Sequence, residues 1–235
     1  MEKSSRIISS VVLAIGLTLL GVFISWGIRS TKTLDRAVTV RGLCEIERPA
    51  DKVIWPVVYT EVGDDLNQIS SAIETKNKAI MAFLASSGIP TSDITSSAPS
   101  VVDQQANQYA NEKSMYRYYA TQVITVSSQH VDKVMELMAK QSEMMRQGIA
   151  ITNQDYRFQT QFFFTKLDEV KPSMIEEATK NARASAQKFA EDSQSELGKI
   201  KRASQGQLTI EDRDANTPNI KTLRVVTTIE YRLED

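Results

Sequence analysis

The sequence predicts an α+β fold in which one N-terminal transmembrane helix precedes a folded domain. The first observation behind this prediction is an apolar run near the N-terminus that contains no charged residue. The second is the alternation, through the rest of the chain, of segments with hydrophobic period 2 and period 3.6. The third is the order of these segments, ββαββαβαββ, whose short strand connections indicate antiparallel sheets with helices packed on one side.

The apolar run is Ile7–Ile28, IISSVVLAIGLTLLGVFISWGI. At about 1.5 Å per residue, it is long enough for the roughly 30 Å hydrocarbon core of a bilayer. The alternative is a cleaved signal peptide, but its apolar stretch is shorter, and SWGIRSTKT offers no small-x-small cleavage site. We therefore expect an uncleaved signal anchor over residues 1–29 that contacts the membrane through Ile7–Ile28, a linker over 30–36 and the folded domain over 37–235.

The charges that flank the run leave its orientation open. Lys and Arg are slightly more numerous on its C-terminal side, which by the positive-inside rule would keep the domain in the cytoplasm. That rule is weak for a long following domain, which is translocated largely regardless of charge.

Two strands and a helix open the folded domain. Apolar and polar residues alternate over 38–46, and a turn leads to a second strand, Val53–Val62. Pro56 inside this strand favours an edge position or a bulge, because proline cannot donate to the sheet. A helix begins near residues 64–65, where two aspartates suit a helix N-terminus, and ends at Gly88.

The middle of the chain predicts two strands, a helix and a further strand. Residues 93–102 and Tyr116–Val126 form the two strands, separated by the polar loop Asp103–Ser114. His130–Arg146 has helical spacing, and Gly148–Thr165 contains a strand with alternating aromatic residues.

A long helix and two strands complete the domain. The helix covers Asp168–Leu197, with Pro172 tolerated in its first turn. Its apolar stripe consists mostly of alanine, which lets a helix lie close against a sheet. Lys199–Ile210 and Leu223–Leu233 are the last strands. The two halves contain comparable βα units, which is compatible with two subdomains.

Composition and motifs exclude most familiar chemistry. The net charge is −1, from 28 basic and 29 acidic side chains, without the basic excess typical of nucleic-acid binding. The single cysteine excludes an intramolecular disulfide, and the single histidine leaves no second imidazole for a His-based zinc site. Phosphate-loop, dinucleotide, zinc-protease and nucleophile-elbow motifs are absent from the sequence. We therefore predict no catalytic residue, no cofactor, no metal site and no known small-molecule ligand.

Four segments, taken together, resemble the SIMPL-domain family of bacterial envelope proteins. The first is the strand pair VTVRGLCEIERPADKVIWPVVYTEV, in which Cys44 stands where the family has a small residue. The second is the turn after the first helix, and the third is YRYYATQVITVSSQHVDKVMELM. The fourth is the alanine-rich helix. The turn and helix motifs are carried by Gly88, Ile89, Asp93, Ile94, Ser96, Ala178, Ala182, Arg183, Ala186, Ala190, Leu197 and Gly198.

This resemblance implies an extracytoplasmic domain without an established enzyme activity. It also implies homo-oligomeric assembly, since some members form rings, and an association with envelope or oxidative stress. With the apolar run, the expected location is the inner membrane, crossed once, with the C-terminal domain in the periplasm.

Cys44 and His130 are the first residues to weigh as functional groups. Cys44 could be a redox-sensitive thiol, but its apolar neighbours on the strand favour a buried, inert cysteine. His130 opens a helix, and a structural or solvent-exposed imidazole is the better interpretation.

The remaining candidates also have simpler structural interpretations. Met135, Met138, Met144 and Met145 could bind a soft metal, but helical spacing favours packing, with Met135, Met138 and Met145 on the buried side. Glu211, Asp212 and Asp214 lack the spacing of an EF-hand, which favours a solvated turn. Arg183 is expected to pair with a carboxylate or cap a strand end. The aromatic stretches Tyr116–Tyr119 and Phe162–Phe164 predict burial between layers or an oligomer surface.

The sequence therefore favours a non-enzymatic, membrane-anchored envelope protein that acts through homo-oligomeric assembly or partner binding. Two alternatives stay open. One is a membrane-anchored scaffold that faces the cytoplasm. The other is an enzyme with an unrecognised carboxylate or tyrosine site, which paired carboxylates with perturbed pKa values in a pocket would favour.

Overall fold

The computed structural model describes residues 13–27, 36–106, 115–146, 148–151 and 156–234. Its helices are α1 (13–27), α2 (Leu66–Ser86), α3 (Val131–Ala139), α4 (Gln141–Arg146) and α5 (Leu167–Asp192). Its strands are β1 (Ala37–Pro49), β2 (Lys52–Gly63), β3 (Ile94–Ser96), β4 (Ser100–Asp103), β5 (Tyr118–Ser128), β6 (Gln161–Phe163), β7 (Glu196–Gln205), β8 (Thr209–Asp212) and β9 (Ile220–Glu234). The predicted α+β class with antiparallel pairing is confirmed.

The chain divides into two compact units. Unit 1 comprises Met1–Glu45, Val170–Thr209 and Arg224–Asp235, and unit 2 comprises Ile46–Glu169 and Ile210–Leu223. One sheet has the strand order β1-β9-β7, with β8 paired to β9. The other has the order β3-β5-β2-β6, with β4 paired to β5.

In unit 1, α5 packs against β1 through a stripe of alanines. Ala178, Ala182, Ala186 and Ala190 are each 0% exposed, so the stripe has no room for larger side chains. A core of Val38, Ala182, Ala186, Ile229 and Tyr231 forms between helix and strands. Gly42 marks the closest approach, because a Cβ added there would lie 2.8 Å from the Cβ of Ala182 and closer still to backbone atoms of α5.

In unit 2, pairing between β2 and β5 organises the sheet. The two strands align over eleven residue pairs, from Val53 with Ser128 to Gly63 with Tyr118. Alternation along the strands sends every second side chain to the face on which α2, α3 and α4 pack. The largest core cluster lies there, and includes Trp55, Tyr59 and residues of all three helices.

Local hydrogen bonds set the ends of α2. The Asp65 carboxylate accepts hydrogen bonds from the backbone N–H groups of Asn67 and Gln68, at 2.7 and 3.2 Å, which is an N-cap. At the other end Gly88 has φ +83°, a left-handed conformation that glycine adopts without strain. Ile89 then donates to Leu84 O at 3.1 Å, which satisfies a terminal carbonyl group.

The predicted transmembrane helix is wrong. Of Ile7–Ile28, residues 7–12 and 28 lie outside the described residues, and 13–27 form α1. Over the described ranges, no helix combines the length and apolarity needed to cross a membrane. The proposed linker, 30–36, lies outside these ranges except for Arg36.

The predicted element order also needs correction in the middle of the chain. The strand expected over 93–102 is divided into β3 and β4, and the strand expected within Gly148–Thr165 is only β6. The loop expected over Asp103–Ser114 lies outside the described residues from 107 onward.

Two helices end earlier than their periodicity predicts. The helix expected over His130–Arg146 breaks at Lys140, which ends α3 with φ −92° and ψ 13°. The helix expected to reach Leu197 ends at Asp192, because Gln194 adopts a left-handed φ of 55° and Ser195 donates to Ala190 O at 2.9 Å. Leu197 then belongs to β7, and β8 is an additional strand.

The close approach at Gly42 generates a stability prediction. Gly42→Ala forces a methyl group into backbone atoms of α5, and we expect it to lower the free energy of unfolding by about 3 kcal/mol, the upper part of the usual overpacking range. Urea unfolding measures the change. Gly21→Ala in α1 is the control, because its added Cβ has no atom within 4 Å. Equal stability of the two variants would contradict the proposed packing.

Candidate functional site

Cys44 lies in β1 and is 7% exposed, as the apolar pattern of its strand predicts. Burial raises the pKa of its thiol, and the Glu177 carboxylate adds a smaller effect in the same direction. A raised pKa lowers the thiolate fraction at neutral pH, and the thiolate is the reactive form. The environment of Cys44 is therefore the opposite of that of a redox-reactive cysteine.

His130 precedes α3 and takes part in the turn that starts it. Its backbone N–H donates to Ser128 Oγ at 3.2 Å. The residue also lines a polar cavity of about 300 Å³, together with Lys52 and Asp93. In the part of the chain that the structure describes, no three His, Cys, Asp or Glu side chains are grouped to hold a metal ion.

The methionines after His130 do not share one face. Met144 is 0% exposed and joins the core, whereas Met145 is 64% exposed and Met135 36%. Met138 is partly buried against the core. The prediction that Met135 and Met145 are buried is wrong. For Met145 the reason is the break at Lys140, which rotates α4 relative to the helical phase of α3.

The acidic loop forms a turn with internal partners. Asp212 makes an ion pair with Lys221, and Glu211 is exposed. Asp214 accepts hydrogen bonds from the backbone N–H groups of Asn216 and Thr217, at 2.8 and 2.9 Å. The pKa of Asp214 is lowered to about 2, chiefly by the Thr217 hydroxyl and these backbone donors, with a further contribution from Arg213. Its oxygens therefore stabilise the turn itself.

Arg183 and the aromatic stretches divide between exposed and buried positions. Arg183 is exposed on α5 and forms no ion pair with another described residue, so the predicted carboxylate pairing is wrong. Phe162 is 8% exposed in the core, whereas Phe163 is 39% exposed. Tyr118 packs against the core between the unit 2 sheet and its helices, and its neighbour Tyr119 lies on the opposite face of the sheet.

That opposite face of unit 2 contains no charged residue where β2 and β5 pair. We call it the uncharged face. It consists of Ile54, Pro56, Val58, Thr60 and Val62 of β2 and Tyr119, Thr121, Val123, Thr125 and Ser127 of β5. Its exposed end is formed by Thr60 and by Val62, which is 41% exposed, whereas Val58 is 3% exposed and the other residues are half-buried. Sheet faces in contact with water usually carry polar and charged residues, so the uncharged composition of the exposed end favours an interaction surface there.

A cavity of about 320 Å³ lies on the helix side of the same sheet. We call it the α2 pocket. It is lined by Leu66, Ile69, Ser70, Ile73, Glu74, Asn77, Ser97, Pro99, Val101 and Gln122. Apolar side chains of α2 and β4 therefore meet a small number of polar groups, the usual composition of a ligand site.

Gln122 is the most unusual residue of the α2 pocket. It is 0% exposed, and its Nε2 donates to Ser97 O and Ser96 Oγ, both at 2.9 Å. Its Oε1 is buried and has no hydrogen-bond donor among the described residues. An unpaired buried acceptor costs about 1–3 kcal/mol, so this atom is a favourable position for a donor from outside the chain.

Tyr59 lies opposite Gln122 in the sheet register and ties the strand to α2. Its hydroxyl lies 2.9 Å from Asn77 Oδ1 and 3.1 Å from Ile73 O. Burial, and secondarily the Glu61 carboxylate, raises the pKa of Tyr59 to about 12. The phenol therefore stays protonated at neutral pH and serves as a structural donor.

Sequence reasoning predicted no site here, although part of the signal was present. Gln122 has the same strand parity as Ala120, Ile124 and Val126, which alternation places in the core. A polar amide at a position that alternation places in the core is a signal that a functional site could lie there. The residues across from it, on α2 and before β4, are distant in sequence and follow no motif.

These features define a two-unit α+β protein with a partly apolar pocket and an uncharged sheet face in unit 2. The SIMPL family model, described as a protein of unknown function (DUF541), matches residues 38–230, which is more than half of the chain. The chain therefore belongs to the SIMPL family, as the resemblance predicted. No curated protein matches it.

The environment of Cys44 generates a second prediction. We expect iodoacetamide to label the native protein far more slowly than the urea-unfolded protein at pH 8, since burial both shields the thiol and lowers its thiolate fraction. Mass spectrometry over time measures both rates. The ratio of the unfolded to the native rate should narrow as the pH rises from 7 to 9, because the unfolded thiol becomes largely ionised in this range while the native thiol, with its raised pKa, is still gaining thiolate. Native labelling as fast as unfolded labelling would contradict the burial of Cys44.

Proposed function

We propose that this SIMPL protein is a non-enzymatic, extracytoplasmic protein that acts through homo-oligomeric assembly. The observation that carries the proposal is the uncharged face of unit 2. A second copy is the occupant that we propose for it.

The composition of the uncharged face supports self-association. Its ten residues are aliphatic side chains, threonines, one proline, one serine and one tyrosine, so two copies can meet without burying an unpaired charge. Two such faces can pack as the inner layers of a sheet sandwich, at about 10 Å separation. A twofold contact of this kind uses the same surface on both copies.

The absence of enzyme activity is proposed from the environments of the reactive side chains. The Cys44 thiol and the Tyr59 hydroxyl both have raised pKa values, which disfavours their anionic forms. Asp103, whose pKa is lowered by the Arg117 side chain, forms an exposed ion pair with it at 2.9 Å. None of these groups is poised for acid–base or nucleophilic work near pH 7.

Location outside the cytoplasm is proposed from the family resemblance. The role in envelope or oxidative stress tolerance stays a prediction.

Charge introduced into the uncharged face tests the assembly. Thr60→Lys and Val62→Lys place a lysine at its exposed end, and we expect the association constant to fall by about tenfold or more, because the ammonium would be desolvated at the contact. Sedimentation velocity on the full chain measures the oligomer distribution. Thr75→Lys, at an exposed position of α2, is the matched control. A monomeric parent protein, or lysine variants that assemble normally, would overturn the proposal.

A C-terminal alkaline phosphatase fusion tests the location. The phosphatase folds only where its disulfides form, so we expect an active fusion if the domain lies outside the cytoplasm. A C-terminal fluorescent protein that requires the cytoplasm is the reciprocal control. Fluorescence without phosphatase activity would favour the cytoplasm-facing alternative.

A further inference from the structure

The α2 pocket contains a buried acceptor whose identity the hydrogen bonds establish. Ser97 O is a carbonyl oxygen and can only accept, so the Gln122 atom 2.9 Å from it must be the donor Nε2. The second bond, to Ser96 Oγ, is compatible with the same assignment. The other terminal atom of Gln122 is therefore the carbonyl Oε1, which has no donor within the described residues. A molecule that completes this site must supply an N–H or O–H group.

The charge of the lining favours a cation over a neutral donor. Glu74 is the one charged residue among the described residues that line the pocket, and none of them is basic. Glu74 is exposed on α2, so it contributes at the rim and is screened by solvent. An anionic ligand that reached Gln122 Oε1 would meet this amide oxygen and the Glu74 carboxylate, and neither of these can donate; the side-chain donors of the lining are neutral and include the Ser70 hydroxyl and the Asn77 amide.

The apolar part of the lining determines the rest of the ligand. Ile69 and Ile73 are each 5% exposed and form the wall on α2, whereas Leu66 and Val101 are each 47% exposed and lie where a ligand can still cover them. A volume of about 320 Å³ is at the lower end of the range for ligand cavities. The space fits a small hydrocarbon body such as one aromatic ring with a short chain.

We propose that the α2 pocket binds a small organic amine. The ammonium N–H donates to Gln122 Oε1, the Glu74 carboxylate balances its charge, and Leu66, Ile73 and Val101 cover its hydrocarbon part. This site is independent of the proposed assembly, because Gln122 points to the helix side of the sheet and the uncharged face is the other side.

Isothermal titration of the full chain with three probes of one shape tests the proposal. Phenethylamine should bind saturably, phenethyl alcohol about tenfold more weakly because it offers an uncharged donor, and phenylacetate not measurably. Equal binding of the amine and the carboxylate, or no saturable binding of the amine, would overturn the proposal.

Three variants and a control locate the binding. Ser70→Trp, at an exposed helix position on the pocket wall, should abolish amine binding by filling the cavity. Glu74→Gln should weaken it by about threefold, since an exposed carboxylate is screened. Gln122→Met removes the acceptor and should weaken it by about tenfold. Glu143→Gln, on an exposed part of α4, is the matched control and should bind as the parent does.

If Gln122→Met fails to fold, the two variants at exposed positions, Ser70→Trp and Glu74→Gln, still decide the test. Amine binding that is unchanged in both Ser70→Trp and Glu74→Gln would place the ligand elsewhere and overturn the assignment. The Thr60→Lys variant should retain full amine binding whether or not it assembles, so a failure of assembly and a failure of the pocket give different results.

Discussion

The pairing of β2 with β5 determines which side chains lie on each of the two faces of the sheet in unit 2. Eleven aligned pairs hold the two strands in one register, and a shift by one residue would exchange the two faces. In the observed register Tyr59 and Gln122 face α2, where one anchors the helix and the other contributes a buried acceptor. The same register places Val58 opposite Val123 on the other side. The α2 pocket and the uncharged face thus both depend on the register of the β2–β5 pair.

Unit 1 depends on a different constraint, the contact distance between α5 and β1. A helix lies this close to a strand only where both surfaces lack bulk, and here alanines at spacing four meet Gly42. The alanine spacing also belongs to the sequence features by which the chain resembles its family. The alanines of the family pattern on α5 therefore serve packing. Arg183, which belongs to the same pattern, is exposed beside the stripe and has no ion-pair partner among the described residues.

Much of the fold could be predicted from the sequence because its signals are local. The alternation over 38–46 and the spacing of Ile69, Ile73, Ile80 and Leu84 identify a strand and a helix face without knowledge of their partners. Predictions failed where backbone conformation changed without a compositional signal. Lys140 and Gln194 end helices although neither is glycine or proline. The prediction of a transmembrane helix in the N-terminal run is also wrong, since no helix of the described residues is long and apolar enough to cross a membrane.

The sequence by itself determined the α+β class, the family, the burial of Cys44 and the strand parity that directs Gln122 inward. These follow from short-range periodicity and composition, which residues close together in the chain carry. Only the tertiary structure decided that Glu74, Ser97 and Gln122 line one cavity, and that the Oε1 atom of Gln122 has no described partner. The physical reason is that a pocket is formed by residues distant in sequence. Whether a buried polar atom has a hydrogen-bond partner depends on the residues that the fold places next to it, and these are not its neighbours in the chain.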